Sequence, residues 1–531
     1  MPGETIVVRP GEKVPLDARV VSGASSVDQS WLTGESIPVQ KQPGDEILAG
    51  TLNGQGSLTA EVLRAAGQTA LDQVIELVRR AQESKTDLGR LADQVVAWFV
   101  PAVLAIAAIS LLAWGLVAGN WTMAVEATVA VLVVACPCAV GLATPAAVLV
   151  GSGRGAEQGI LIKEARALET AGRLTTVVLD KTGTVTQGRP KVTAVYPAAG
   201  VPPEELLAVA AAAERLSQHP LAEAVVAEAE ARGIPVVQAD DLEVIPGQGI
   251  RVRLGQRQIF VGTEQLLASQ GIQINDVPGD GTSPVSPGGH AGSQGTNRDD
   301  LPQDSLTPTL SRRERGAEDR AARLRGEGQT LLWVAADQRV LGLLCLADPV
   351  SPHSREAVQQ LKAMGLAVQL LSGDHRSAAE AVARQVGIET VVAEVRPDEK
   401  QQVVRRLQQA GQVVAMVGDG INDAPALAAA DLGIAIGRGS DVAIEAADVV
   451  LVGADLRGVA RAIALSRATL RTIRQNLAWA FGYNLLLIPL AAGVLAPIGI
   501  HLPPAAAAAA MAASSVSVVT NSLLLRRRKL G

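Results

Sequence analysis

Two cysteines separated by a single proline, Cys136-Pro137-Cys138, lie inside an apolar run, and the chain leaving that run soon reaches Asp180-Lys181-Thr182-Gly183-Thr184. Paired thiolates within a membrane helix can hold a soft metal ion. An aspartate that ends a hydrophobic strand before a Thr-Gly turn can act as a nucleophile and carry a phosphoryl group. Pro137 removes a helix hydrogen bond, which is expected to free the carbonyl of Val133 and open the helix where both thiolates must face an ion.

Further segments have the same strand-then-polar form. Leu370-Leu371 delivers Ser372-Gly373-Asp374, Ala415-Met416-Val417 delivers Gly418-Asp419-Gly420-Ile421-Asn422-Asp423, and Lys400 opens a helix after Arg396-Pro397. In an open parallel sheet, ligands collect at the carboxyl ends of the strands, so these segments are expected in one crevice. A carboxylate nucleophile, a lysine, a small hydroxyl and further carboxylates form a kit for phosphoryl transfer with Mg²⁺. Charge assigns the roles: Asp180 attacks the γ-phosphoryl group, Asp419 shares Mg²⁺ with Asp180, Lys400 and Ser372 hold phosphoryl oxygens, and Asp423 orients Lys400.

The elements that must position these residues follow from composition and period. Two regions, 98–150 and 477–525, are apolar enough to cross a bilayer, each as two helices of about 20 residues, which makes four spans. Gly119-Asn120 splits the first region and the Pro- and Gly-rich Ala496–Pro504 splits the second. The tail 526–531, with Arg526-Arg527-Arg528-Lys529, and hence the large central segment, is placed in the cytoplasm by the positive-inside tendency. A formal net charge of −6 argues against a nucleic-acid partner. Three cysteines cannot build a disulfide framework, and Cys345, within Leu341–Leu346, reads as core. No signal peptide is visible in Met1–Val20.

Residues 1–68 alternate apolar and polar between Pro-Gly and Asn-Gly turns and read as a small β domain. Residues 69–97 read as a helix leading into the membrane pair 98–150. A parallel-sheet domain follows in two parts, 151–195 and 336–460, with a smaller domain, 196–335, inserted between them. Strands are expected at Leu331–Ala335, Val368–Leu371, Val413–Val417 and Leu432–Ile436, alternating with helices. Within the inserted domain, 275–316 is rich in Gly, Pro, Ser, Asp and Arg and is expected to be disordered. Residues 461–476 link the second part to the membrane pair 477–525.

On these motifs the chain resembles the P-type ATPases, which belong to the haloacid-dehalogenase-like phosphotransferases. Asp180–Thr184 is similar to the family's phosphorylation motif and Gly418–Asp423 to its hinge motif. The resemblance implies a multi-domain membrane protein: α-helical spans, a small β actuator domain, a doubly wound α/β phosphorylation domain and an inserted α+β nucleotide-binding domain. Thr33-Gly34-Glu35-Ser36 matches the actuator loop, which implies that Glu35 positions the water that hydrolyses the aspartyl phosphate. Ser217-Gln218-His219-Pro220 and Gly247-Gln248-Gly249 are similar to the nucleotide signature of the heavy-metal branch. That implies His219 near the adenine, Glu214 in contact with it, and Gly247 and Gly249 admitting the backbone to the nucleotide, with Thr182 and Asp374 also counted as ATP contacts.

Tyr483-Asn484 and Met511 with Ser514-Ser515 resemble the copper(I)-type membrane set, and no lysine or acid of the zinc type accompanies them. The implied metal ligands are Cys136, Cys138, Tyr483, Asn484, Met511 and Ser515, which suit a soft monovalent ion. Asp93 reads as a cytoplasmic approach ligand or a surface charge. The expectation is ATP-driven export of Cu(I), and of Ag(I) by similarity, with ATP and Mg²⁺ as cofactors and a copper chaperone or glutathione-like donor as partner. Membrane lipid surrounds the spans, in a bacterial plasma membrane with the catalytic domains in the cytoplasm. The alternatives are a zinc or cadmium pump and a non-transporting remnant that keeps nucleotide-binding or phosphatase activity. Relatives of this branch resemble eight-helix proteins, whereas this chain opens inside the actuator domain. The reading is therefore of an N-terminally truncated pump, whose missing helices come from upstream sequence or a partner. Ser351 stands near where a basic residue is usual, and Gln218 replaces an acid.

Overall fold

The computed structural model describes residues 2–29, 38–69, 86–217, 219–237, 239–274, 323–437 and 441–528, with a few isolated positions between them. The actuator loop with Glu35, Gln218 and the tract 275–316 lie outside the described residues. The chain divides into two compact units. The first comprises Met1–Val178, Gln360–Ala367 and Asp398–Gly531, and the second Leu179–Gln359 and Val368–Pro397.

In the first unit, the alternating N-terminal segments form two small antiparallel sheets, with Thr5–Val8, Leu58–Val62, Ala18–Ser22 and Glu46–Ile47 in one of them. Their inward positions, among them Val8, Val20, Ile47 and Leu58, close a separate core, as period-2 patterning requires.

Helix α1 (Asp87–Leu112) starts afresh after an extended Thr86, inside the stretch 69–97 expected as one helix; most of 70–85 lies outside the described residues, and positions 71, 72, 75 and 79 there are helical. The Thr86 hydroxyl caps it, accepting from the Gly89 N–H at 2.9 Å. The buried carboxylate of Glu169 accepts from the Asp87 and Leu88 N–H groups at 2.8 Å each. Three of the orphan donors of a helix start are thereby satisfied, which sets the boundary. Glu169 lies on α4 (Ala165–Arg173), whose own first N–H, at Ala165, donates to Ser84 Oγ at 2.7 Å. Each helix start is thus held by the other's side.

A π-helical turn at Ala113–Val117 ends the first span, and Asn120 caps α2 (Trp121–Val134) by accepting from Met123 N–H at 3.0 Å. The expected hairpin at Gly119-Asn120 is therefore present. Helix α3 (Cys138–Glu157) follows after a break at Ala135–Pro137. The last two long helices are α5 (Arg457–Ala491) and α6 (Pro504–Leu524). By length and hydropathy, Asp87–Val117, Trp121–Glu157 and Pro504–Arg527 qualify as spans among the described residues. The fourth expected span, the end of α5, falls short by this measure because its apolar part, Leu477–Ala491, is only 15 residues long after the polar Arg474-Gln475-Asn476.

Two apolar layers bind these helices. Val134, Ala135, Ile488, Ala491 and Ala507 belong to one, and Ala92, Ala139, Val140, Ala480 and Val518 to the other. Nearer the cytoplasmic end, buried Asn476 donates to the Ala143 carbonyl at 3.1 Å and to Ser522 Oγ at 2.9 Å, while its own oxygen accepts from Asn521 at 2.8 Å. One amide thus fastens α3, α5 and α6 together. Such a fully engaged polar group fixes register where apolar contacts alone would slide.

The parallel strands of this unit, Val414–Gly418, Leu432–Ile436 and Val449–Leu451, carry antiparallel Ile160–Ile162 on the edge. The N–H groups of Thr175 and Thr176 donate to the Val413 carbonyl at 3.0 and 3.2 Å, and Ala367 N–H donates to the Thr175 carbonyl at 2.9 Å. The strand Thr176–Asp180 therefore starts between those that begin at Ala367 and Val414.

The second unit contains a six-stranded antiparallel sheet in the order Lys191–Pro197, Arg339–Ala347, Thr330–Ala336, Arg257–Gly262, Gly249–Leu254, Asp241–Ile245. Leu331–Ala335 was expected in the run of alternating strands and helices; it pairs instead with Arg339–Ala347 across a two-residue turn. The inserted domain therefore extends past the boundary expected at 335. Helices Pro203–Glu214 and Pro220–Ala231 contribute to the core on one face of the sheet. Cys345 packs with Trp333 and Phe260 on the other, where burial pushes its thiol up to about 12, so it is an inert core residue as expected. Gln369–Leu371 and Thr390–Val392, also in the second unit, form a parallel pair, which bears out the strand leading to Ser372.

Candidate phosphoryl-transfer, nucleotide and metal sites

In the second unit, Asp180 ends its strand buried, and one carboxylate oxygen accepts from the Thr182 N–H at 3.0 Å. This bond shapes the turn and leaves Thr182 engaged with the nucleophile itself. Lys181, also buried, points back to Asp374 at 2.8 Å, and the Asp374 N–H donates to Ser372 Oγ at 3.0 Å. Ser372 and Asp374 are thus tied to each other, and Lys181, which periodicity and motif left without a role, ties Asp374 to the loop after Asp180. Asp348 was likewise overlooked. It accepts from the Thr186 hydroxyl at 2.5 Å and from the Gly188 and Arg189 N–H groups at 3.1 and 3.2 Å, which locks the far side of the phosphorylation loop. The signal available was its position at the end of an apolar strand, the same form that identified Asp180.

In the first unit, Lys400 Nζ donates to Asp423 Oδ1 at 2.6 Å, both side chains being less than a tenth exposed. Gly418 allows this approach: a Cβ there would meet the Asp423 carboxyl oxygen at 2.6 Å. A buried lysine bonded to a buried carboxylate is held in one direction. Asp419 follows Gly418 directly, at the end of the same strand.

Glu214, Ser217, His219, Gly247 and Gly249 line one cavity of about 320 Å³ in the second unit, with apolar walls from Ile250, Val261 and Leu331. Burial pushes the Glu214 carboxyl up to about 7, against a smaller downward pull from the Ser217 hydroxyl. His219 lines the cavity and also caps Pro220–Ala231, its Nδ1 accepting from Leu221 N–H at 3.2 Å. The glycines have different reasons. Gly249, at φ +144°, would clash through a Cβ with the Val261 carbonyl at 2.2 Å, so strand packing demands it, whereas a Cβ on Gly247 would meet open space.

At the break between α2 and α3, Cys136 and Cys138 are joined as a disulfide, with Cα atoms 5.5 Å apart. This corrects the expectation of two free thiolates. In a continuous helix residues i and i+2 point to opposite sides, and only the Pro137 break lets these two sulfurs meet. The Val133 carbonyl is not free either, because the Cys136 N–H donates to it at 3.2 Å. Cys136 is half-buried and Cys138 exposed. Between the two apolar layers, Asn484 and Ser514 are buried with an oxygen that has no hydrogen-bond partner, and Met511 is buried beside them in sequence height. Tyr483 and Ser515 are only half-buried, so Ser514 has the stronger claim of the serine pair. Buried oxygens without partners are costly and call for a ligand. Asp93 lines a second cavity, of about 200 Å³, with Thr86 and Thr144.

This architecture defines a class. Residues 174–431 match the haloacid dehalogenase-like hydrolase family, and residues 1–79 match the P-type ATPase actuator domain. A crystal structure of a zinc-transporting PIB-type ATPase in the E2.Pi state superposes with a TM-score of 0.67 at 33% identity, over 99% of this chain and 79% of that one. The chain belongs to the P-type ATPases. It is similar to the probable copper-transporting ATPase PacS of Synechococcus elongatus, at 48% identity over 92% of this chain and 60% of the relative. It is also similar to copper-transporting ATPase 1 of Rhizobium meliloti, at 44% identity over 93% of this chain and 55% of the relative. The chain therefore spans less than two thirds of these curated relatives. With its apolar helices, it is an integral membrane protein whose catalytic domains are cytoplasmic.

Proposed function

We propose that this chain carries the catalytic and ion-conducting core of a copper(I)-exporting P-type ATPase in a bacterial plasma membrane. The observation that carries the choice of ion is the uncharged set Asn484, Met511 and Ser514 between two apolar layers, one of which also holds Val134 and Ala135 just before the Cys136–Cys138 break. Sulfur donors with no lysine or acid beside them in the membrane parts of α5 and α6 suit a soft monovalent cation better than Zn²⁺. The copper-transporting relatives, at 42–48% identity, support the same choice over the zinc-transporting structure at 33%.

Asp180 attacks the γ-phosphorus of ATP, forming the acyl phosphate as the bond to the ADP oxygen breaks. Its strand starts beside those leading to Ser372 and Asp419, and a parallel arrangement carries such residues to one edge. The donors at Asp180 and Asp419 are hard carboxylate oxygens, which fit Mg²⁺, and the ion would neutralise charge on the transferring group. Lys400, held by Asp423, and Ser372 bind phosphoryl oxygens, while Lys181 and Asp374 brace the loop. Adenine enters the Glu214–His219 cavity, between Gly247, Gly249 and the apolar wall. Glu35 then positions the water that cleaves the acyl phosphate. In the membrane, the cysteine pair, once reduced, takes Cu(I) from a chaperone or glutathione-like thiol by ligand exchange, with Asp93 on the approach.

The test loads the purified chain under reducing conditions and measures ATP hydrolysis with Cu(I), Ag(I) and Zn²⁺. Stimulation by the two monovalent ions alone is expected. Stimulation by Zn²⁺ alone would transfer the reading to the zinc branch.

A further inference from the structure

We propose that Arg471, Arg474 and Arg527 bind the phosphate of anionic phospholipids in the cytoplasmic leaflet. The first two lie one turn apart on α5, and the third follows α6; all are exposed. Helices α5 and α6 run antiparallel, and their register is set by Asn521 donating to Gln475 at 3.4 Å and Asn476 donating to Ser522 at 2.9 Å. At about 1.5 Å of rise per residue, Arg471 and Arg527 lie roughly 6 and 9 Å to the cytoplasmic side of that crossing. Arg474 lies about 1.5 Å to the same side, so the three backbone positions fall within roughly 8 Å of height.

Neighbouring arginines are already engaged. Arg154 donates to the Leu525 carbonyl at 2.6 Å, Arg467 to the Met364 carbonyl at 3.1 Å, and Arg526 pairs with Glu157 at 2.8 Å. Arg471, Arg474 and Arg527 make no hydrogen bond or ion pair among the described residues, and the nearby acid, Glu157, is taken.

Directly below this band both helices turn apolar on their outer faces. Trp479 is 59% exposed, Leu485 76% and Val516 64%. Trp479 meets Tyr483 with ring centroids 5.9 Å apart, about one turn beyond Arg474. Basic residues, then aromatic rings, then aliphatic side chains is the order in which a helix crosses headgroups into acyl chains. Unpaired guanidinium groups at that height present planar forks suited to phosphate oxygens. Their continuity with the apolar stripe commits the site to a lipid, whose chains can lie along Leu485 and Val516.

The test uses the full chain in mixed micelles of phosphatidylcholine and phosphatidylglycerol with identical acyl chains, counting bound lipid by native mass spectrometry. Preferential retention of phosphatidylglycerol is expected. Arg471→Gln with Arg474→Gln should weaken it roughly thirtyfold, about fivefold per arginine, with phosphatidylcholine unaffected. Arg474→Lys should keep most of the affinity, and Arg384→Gln, in the second unit, all of it. Equal retention of the two lipids by the parent chain overturns the proposal. So does unchanged retention by the double variant, or displacement of phosphatidylglycerol by inorganic phosphate, which would mark a site for the free anion.

Discussion

Glu214→Gln should stabilise the nucleotide-binding fold at alkaline pH and remove a pH dependence that the parent chain displays. Glu214 is 6% exposed at the carboxyl end of the helix Pro203–Glu214, where neither burial nor the helix dipole favours a negative charge. Burial moves its carboxyl from 4.5 to about 7, with Ser217 pulling the other way. At about 1.36 kcal/mol per unit, ionising it in the folded state costs on the order of 3 kcal/mol. The folded state holds the proton more tightly than the unfolded state. Local stability is therefore greatest below the unfolded value, falls as the pH rises toward 7, and levels off above it. Glutamine has the same shape and no charge, so the variant should be flat across this window. Hydrogen exchange, read by mass spectrometry on peptides covering 203–217 and corrected for intrinsic rates, measures this directly. At about pH 8 the variant should be protected roughly three hundredfold more than the parent, and near pH 4.5 only about twofold more. Parallel protection curves for the two proteins would refute burial as the cause of the shift.

Glu169→Ala removes the acceptor for two N–H groups at the start of α1, at an expected cost of roughly 3 kcal/mol; peptides covering 86–95 should exchange faster, and unchanged protection there would contradict the capping role. Lys400→Met leaves buried Asp423 without its lysine and should cost about 3–5 kcal/mol, whereas Lys400→Met with Asp423→Leu should recover most of it. Thermal melts separate the two cases, and a double variant as unstable as the single one would sink the paired-charge account. Cys136 and Cys138 should resist maleimide until a reductant is added, and ready labelling in its absence would show that the disulfide is not the resting form.

The parts of the fold legible in the sequence were those with a strong local cause. Asp180 and Gly418–Asp423 were found because apolar strands ending in polar turns have few other uses. The Gly119-Asn120 hairpin was found because Asn120 is a good cap. What escaped depends on contacts between distant segments. The break at Thr86 and the start of α1 at Asp87 are held by Glu169, 82 residues away, so periodicity alone read 69–97 as one continuous helix. Leu331–Ala335 reads as a buried strand of either kind, and only pairing with Arg339–Ala347 shows it to be antiparallel. Lys181 and Asp348 look like ordinary charges until the loop closes around them. The cysteine pair was legible as chemistry but not as a redox state, because spacing does not say whether a helix break turns two sulfurs toward each other.

The central claim is that Asp180 becomes phosphorylated by ATP in response to a soft metal ion. Acid-stable incorporation of the γ-phosphoryl group should be measured on the reduced chain with and without Cu(I), beside Asp180→Ala. The account predicts copper-dependent labelling in the parent and none in the variant. Labelling that persists in Asp180→Ala, or that ignores both Cu(I) and Zn²⁺, would contradict it.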